Sequence, residues 1–404
     1  MYLILFLAFL IRLGYSLLIH PPDNFIHSDI AIYLRIADAI NAGQWSPEHF
    51  VQPVGYPLLL VLIKKITSNW SLLLAILQSL ASCLTLYLVW RSALMCWGDR
   101  LARWSLLVGV IHLPWIVYTG YSMAETIYTM VLAIILWASC QLLQAQKKGI
   151  GWRLLWGLSF VFAFWFKGQH VLLLPLFLTG ILLTQRKSLI KFAFPIVSIV
   201  GIGILLHGAL TFHTTGAAKF SGSTGGLNFV EGKCPSKKNT DTTGLTWWSP
   251  LYHSLNLTSH KKWNRPFSDS SYFFKQGLEC IKREPWVMIQ SLEHISYLFF
   301  GNPLWPTNWE KIGPIVRLYE VIFPFFMIPG FLIFVFYIVR TKAHQEAIIW
   351  LLPVLALFML VYIFKSEIRY RIPFDVFLIP MALKGWFMIV EAMEATVQKV
   401  EVKR

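Results

Sequence analysis

Apolar residues along this chain come in long runs separated by short polar stretches. That spacing fits neither the alternation of a half-buried strand nor the narrow stripe of a helix on a soluble core. A helix needs roughly 20 mostly apolar residues to cross a bilayer. Such runs lie near residues 1–20, 70–92, 101–118, 122–145, 153–167, 170–185, 190–211, 314–340, 346–364 and 372–393. The pattern predicts an all-α polytopic membrane protein with about ten transmembrane helices. The first run has no basic start and no small-residue cleavage site before Pro21 and Pro22, so a retained helix is expected rather than a signal peptide.

Composition agrees: 56% hydrophobic residues, only 14% charged, and 18 Trp and 30 Phe in 404 residues exceed what a soluble core covers. The formal net charge of +15 would suit nucleic acid, but its placement argues for the lipid bilayer as the partner instead. Arg91, Arg100, Arg103, Lys147, Lys148, Arg153, Arg186, Lys187, Lys191, Arg340, Lys342, Lys399, Lys403 and Arg404 flank the runs at alternate ends, as the positive-inside rule asks of cytoplasmic loops. Both termini are then expected in the cytoplasm, and residues 21–69, 119–121, 168–169, 212–313 and 365–371 outside. The chain divides into an N-terminal transmembrane module (1–211) with its first outer loop (21–69), an outer loop and small cap (212–313), and a C-terminal transmembrane module (314–404).

This topology gathers Asp29, Glu125, Lys167 and the group Lys365, Glu367, Arg369 and Arg371 onto the outer side. One such charge at a span end is an ordinary anchor. Several on one face indicate a site, because ionisable groups at membrane depth are costly. The stretch "HSDIAIYLRIADAINAGQW" predicts an interfacial helix capped by Ser28 and beginning at Asp29. Tyr33 then lies one turn from Asp29, and Arg35 and Asp38 can pair. "QPVGYPLLLVLIKKI", broken by Pro53, Gly55 and Pro57, predicts a second interfacial helix too short to span.

Further helices are expected over about 268–300. Cys234 and Cys280 are the two of five cysteines in the outer loop, which predicts a disulfide in an oxidising exterior. The histidines are scattered without zinc spacing, so no metal and no cofactor is expected; His27, near Asp29, is the one candidate for a metal or phosphate contact.

The acidic residue just after the first span, the helix that follows it and the "PVGYPLLL" segment resemble the GT-C superfamily of membrane glycosyltransferases. The likeness is to the branch with the protein O-mannosyltransferases and the lipid A aminoarabinose transferase. "SMAETIYTMVLAIILWA", "FWFKGQHVLLLPLFL" and "EIRYRIPFDVFLIPMAL" are similar to later motifs of that branch, in the same order. The resemblance implies a GT-C-like fold and transfer of a sugar from a polyprenyl-phosphate donor to a hydroxyl of a lipid, glycan or protein acceptor. It implies a site on the periplasmic or luminal side, most simply of a bacterial inner membrane, and Asp29 as general base.

The chemistry asks for the other groups. A leaving phosphate needs fixed cations where its charge develops, and Lys167, Arg369 and Arg371 are the candidates. Glu125 would orient the acceptor or assist Asp29. His27, Tyr33, Tyr56, Glu367 and Tyr370 are expected to line the substrate. Direct displacement by the acceptor implies inversion. A polytopic transporter or lipid-linked sugar flippase is the alternative, but its charges would sit at mid-membrane and paired broken helices would accompany them.

Overall fold

The computed structural model describes residues 1–45, 52–143, 149–168, 172–184, 189–215, 218, 225–234, 266–301 and 313–401. All regular structure among them is helical. In chain order the helices are α1 (Tyr2–Ile19), α2 (Ser28–Asn41), α3 (Gly55–Ile66), α4 (Trp70–Trp97), α5 (Asp99–Ile111), α6 (Leu113–Val117), α7 (Glu125–Leu143), α8 (Ile150–Phe166), α9 (Leu173–Thr184) and α10 (Leu189–Thr215). They continue as α11 (Gly225–Lys233), α12 (Pro266–Arg283), α13 (Val287–Gln290), α14 (Glu293–Phe300), α15 (Gly313–Thr341), α16 (His344–Ile363), α17 (Ile368–Arg371) and α18 (Asp375–Glu401).

Seven spans among the described residues are long and apolar enough to cross a membrane, or eight if α5 and α6 are counted as one bent span. The chain is therefore an integral, multi-pass membrane protein. Three expected spans differ from the sequence reading. α8, at 17 residues, and α9, at 12 described residues, are shorter than the other spans. The run at 101–118 is broken, with α5 and the 113–120 segment bent by 57°.

Pro114 explains that break. It has no N–H to give Val110, the residue four positions back, so carbonyls at the end of α5 lose their helical partners. Arg12, fully buried in α1, supplies them: its guanidinium donates to Gly109 O at 3.1 Å and Val110 O at 3.4 Å, and to Ser82 Oγ at 2.7 Å. A buried arginine on neutral oxygens at a broken helix end satisfies both the orphan carbonyls and their partial negative charge.

α7 is the central helix, packed on α4 and α8, and α15 packs along α18. That last crossing is closed to backbone contact: a Cβ on Gly385 would overlap the Gly330 carbonyl. Membrane helices use small residues in this way because lipid supplies no hydrophobic drive for association.

At one end of the bundle α2 lies across α3. α2 starts at Ser28, with His27 in the cap position and no side-chain cap bond, one residue earlier than expected. Asp38 pairs not with Arg35 but with Lys64 of α3, at 2.5 Å, because the interhelical partner is within reach and ties two interfacial helices together. The same end carries α11 and α12, joined by a Cys234–Cys280 disulfide with a Cα–Cα distance of 5.4 Å.

Candidate functional site

Four segments remote in sequence meet at that end. Asp29 stands in the first turn of α2 and Glu125 opens α7. Lys167 directly follows α8, its N–H closing the last turn on Ala163 O at 2.8 Å. Lys365, Glu367 and Arg369 come from the connection between α16 and α18. The helix dipoles favour these signs: carboxylates at N-terminal turns, an ammonium at a C-terminus.

The charges alternate and touch. Arg369 Nη1 donates to Asp29 Oδ2 at 2.7 Å, and its Nε faces Glu367 Oε2 at 2.5 Å. Lys365 Nζ lies 3.6 Å from Glu367 Oε1 and 2.8 Å from Glu231 Oε2 of α11. Lys167 Nζ donates to Glu125 Oε1 at 2.8 Å. Gln52 Nε2 reaches Asp29 Oδ1 at 3.4 Å, and the Tyr370 hydroxyl donates to Glu367 Oε1 at 3.2 Å. Asp29 and Lys167 keep 16% and 13% of their side-chain surface exposed, so the pairs are mostly buried yet open on one side.

Burial pushes the Asp29 carboxyl upward. The charge and hydrogen bond of Arg369, with the charges of Lys167 and Lys365, outweigh that push and hold it below the usual carboxylate range. Burial raises Glu231, and Lys365 offsets this only in part. Lys365 is pushed above the ordinary lysine value: burial works against the shift, but Tyr370, Glu367 and Glu231 prevail.

Glu125 is 1% exposed, and its second oxygen, Oε2, has no hydrogen-bond partner among the described residues. It lines a small cavity with Thr126, whose hydroxyl is likewise unpartnered, and with Ser82, Thr85, Tyr118 and Thr129. A small cavity beside an unpartnered carboxylate oxygen and an unpartnered hydroxyl is suited to an ordered water.

The remaining expected site residues divide. Arg371 is not placed to hold phosphate. It is fully buried, with Nη2 on Glu320 Oε2 and Nε facing Asp375 Oδ1, both at 3.2 Å, and Nη1 on Leu298 O at 3.2 Å. Two residues beyond Arg369 on a helical turn, its side chain turns toward Glu320 and Asp375 while that of Arg369 turns toward Asp29 and Glu367. Tyr56 is also fully buried, packed edge-on against Tyr33 at 5.2 Å and bonded to Gln78 at 3.5 Å; it supports the site from beneath and has no surface for a substrate. Tyr33 is 2% exposed, a wall rather than a platform. His27 is exposed, its ring 5.0 Å from that of Phe25.

Three residues escaped the sequence reading. Gln52 carries no signal of its own. Glu231 sits in "FVEGKC", where an acid and a base beside a disulfide cysteine are the only hint. Asp375 was legible: an acid inside an apolar run, four residues after Arg371, is an i,i+4 partner at membrane depth. Its other oxygen faces His112 Nε2 at 3.1 Å, and His112 Nδ1 lies 2.6 Å from the Tyr319 hydroxyl.

No protein-family model matches the sequence, and no curated protein matches it. Solved structures do. The oligosaccharyltransferase of Archaeoglobus fulgidus, tethered to an acceptor peptide containing the NVT sequon, superposes with a TM-score of 0.56 at 13% identity, covering 98% of this chain and 50% of that one. The same enzyme, AglB, with an inhibitory peptide and a dolichol-phosphate matches with a TM-score of 0.56 at 12% identity, covering 99% and 51%. ArnT from Cupriavidus metallidurans bound to undecaprenyl phosphate gives a TM-score of 0.40 at 13% identity, covering 95% and 77%. The chain spans about half the length of the archaeal enzyme. It has the fold of the GT-C membrane glycosyltransferases.

Proposed function

We propose that this protein is a membrane glycosyltransferase that moves a sugar from a polyprenyl-phosphate donor to a hydroxyl acceptor on the non-cytoplasmic face, with inversion. The observation that carries the reading is the contact between Asp29 and Arg369 at 2.7 Å, in a partly open cluster that also holds Lys365, Glu367, Lys167 and Glu125. The cluster stands at one end of a GT-C bundle, and such a bundle in AglB was solved with a dolichol-phosphate.

In the proposed reaction the acceptor oxygen forms a bond to the anomeric carbon while the bond from that carbon to the phosphate oxygen breaks. The electron pair stays with the phosphate, which leaves as polyprenyl phosphate, and the acceptor proton passes to Asp29. Arg369 and Lys167 meet the charge that grows on the leaving phosphate. The Asp29–Arg369 pair gives the base a dependence on the donor. A phosphate that draws Arg369 toward itself removes the main charge stabilising the Asp29 carboxylate, so the base strengthens when the donor is bound. Glu125 holds Lys167 in place. Fixed cations do the work a metal would do, and no cofactor is needed.

The test is to incubate the purified protein in nanodiscs with a panel of polyprenyl-phosphate sugars and a mixed pool of lipid and glycan hydroxyl acceptors. Release of polyprenyl phosphate is expected with at least one donor and is lost in Asp29→Asn. Movement of intact donor across liposomes with no lipid phosphate released would replace the enzyme by a flippase.

A further inference from the structure

We propose that three consecutive residues of α11, Glu231, Gly232 and Lys233, form a clamp that positions the segment bearing Arg369, and that the Cys234–Cys280 disulfide holds this clamp in place. The inference rests on the reading of Arg369 as the group that receives the donor phosphate.

The segment needs such a device. Between α16 and α17 the chain leaves the helix, with Phe364 at φ −104°, ψ −143° and Glu367 at φ −148°, ψ 147°. A short extended connection has no ladder of its own to fix it, so side chains must.

Each of the three residues grips a different part of this connection. Lys233 Nζ donates to Tyr362 O at 2.5 Å, one of the last-turn carbonyls that α16 leaves without a helical partner, and to Ser291 Oγ at 2.6 Å. Gly232 lies backbone to backbone against the next turn of chain: a Cβ there would overlap the Phe364 carbonyl. Glu231 takes Lys365 at 2.8 Å. From Lys365 the contacts run on through Glu367 and Arg369 to Asp29, so the cap helix and the candidate base are the two ends of one alternating chain of charges.

Glu231, Lys365, Glu367 and Arg369 expose only 6%, 13%, 7% and 8% of their side chains. Loss of one member unbalances the buried charges beside it, and they must rearrange. The disulfide begins at the residue after Lys233 and binds α11 to α12, which anchors the near end of the chain.

The experiment reads two quantities in one preparation: amide hydrogen exchange of residues 362–371, and lipid-phosphate release. Glu231→Gln keeps the volume and removes the charge. It is expected to raise exchange in 362–371 and to lower kcat by about tenfold, with a smaller change in donor KM, because a displaced Arg369 serves the leaving phosphate worst where its charge is greatest. Cys234→Ser with Cys280→Ser should reproduce the Glu231→Gln pattern. Unchanged exchange of 362–371 in both Glu231→Gln and the double cysteine variant overturns the clamp whatever the turnover, and so does raised exchange with a wild-type kcat. A wild-type protein that releases no lipid phosphate overturns the functional reading, and with it the role assigned to the clamp, while the exchange data still decide whether α11 holds the segment.

Discussion

Asp29 and Arg369 stand 340 positions apart in the chain and meet at 2.7 Å. The contact joins an interfacial helix near the N-terminus to α17, so both transmembrane halves are needed to build it. Asp29→Asn should keep an acceptor for Arg369 and preserve the fold, yet lose the proton acceptor. Turnover is expected to fall by about 10²–10⁴-fold in protein that stays monodisperse on gel filtration. Wild-type rates in this variant would remove Asp29 from the chemistry.

Arg369 and Arg371 are two residues apart and should fail in different ways. Arg371→Met strands Glu320 in the bundle and leaves Asp375 to His112, and removing one partner of a buried pair costs about 3–5 kcal/mol. Its thermal midpoint should drop, while the protein that remains folded keeps its donor KM. Arg369→Lys retains a charge but loses the planar fork, which matters for phosphate more than for packing. Here the midpoint should stay near wild type and donor KM should rise. The pair of melting curves and saturation curves distinguishes the two arginines.

Much of this was legible in the sequence, and the reasons for the rest are physical. Run length and loop charge predicted the all-α membrane class, because the bilayer fixes both. The run at 101–118 was read as one straight span because a run of apolar residues does not report its own bends: Pro114 was visible, but its effect depends on whether Arg12 is there to donate to the freed carbonyls. Asp29, Glu125, Lys167, Glu367 and Arg369 could be selected as ionisable groups at span ends. Sequence could not tell Arg369 from Arg371, since which way each points depends on the rotation of a single turn. Glu231 was hidden for another reason: a carboxylate in a long polar loop has no periodicity to place it.

The pH dependence follows from Asp29. Its carboxyl is held below the usual value of 3.8 by Arg369, Lys167 and Lys365 against the push of burial, so the carboxylate persists as pH falls. The stability contributed by the pair is fully present above pH 3.8 and is lost as pH drops through the lowered pKa. An acid limb of kcat/KM due to Asp29 should accordingly lie below pH 3.8 in the wild type. In Arg369→Met, burial has lost its strongest opponent, and the limb should move to higher pH in the residual activity. A limb that does not move between the two proteins would separate Arg369 from the base.

Fixed cations also make a statement about metals. If Lys167 and Arg369 receive the leaving phosphate, dialysis against EDTA should leave the rate of lipid-phosphate release unchanged, and added magnesium or manganese should not raise it. A rate abolished by EDTA and restored by one divalent ion would assign the phosphate charge to that ion instead.

Lys233 supplies the final prediction, on stability rather than rate. It is 1% exposed, its ammonium meets a hydroxyl, a carbonyl and the Tyr362 ring, and burial lowers its pKa from 10.5 to about 8. Between those values the unfolded chain holds a proton on this lysine and the folded chain does not, so unfolding takes up a proton and stability rises with pH across that window. The neutral amine still donates to Ser291 and Tyr362, so the clamp survives the change. The thermal midpoint should therefore climb from pH 8 toward pH 10 in the wild type, against the usual decline as other groups titrate. Lys233→Met should remove the climb while lowering the midpoint at every pH, because the Tyr362 carbonyl and Ser291 hydroxyl lose their donor. A midpoint that falls equally in both proteins over this range would mean that Lys233 holds its proton, and that burial does not govern its charge.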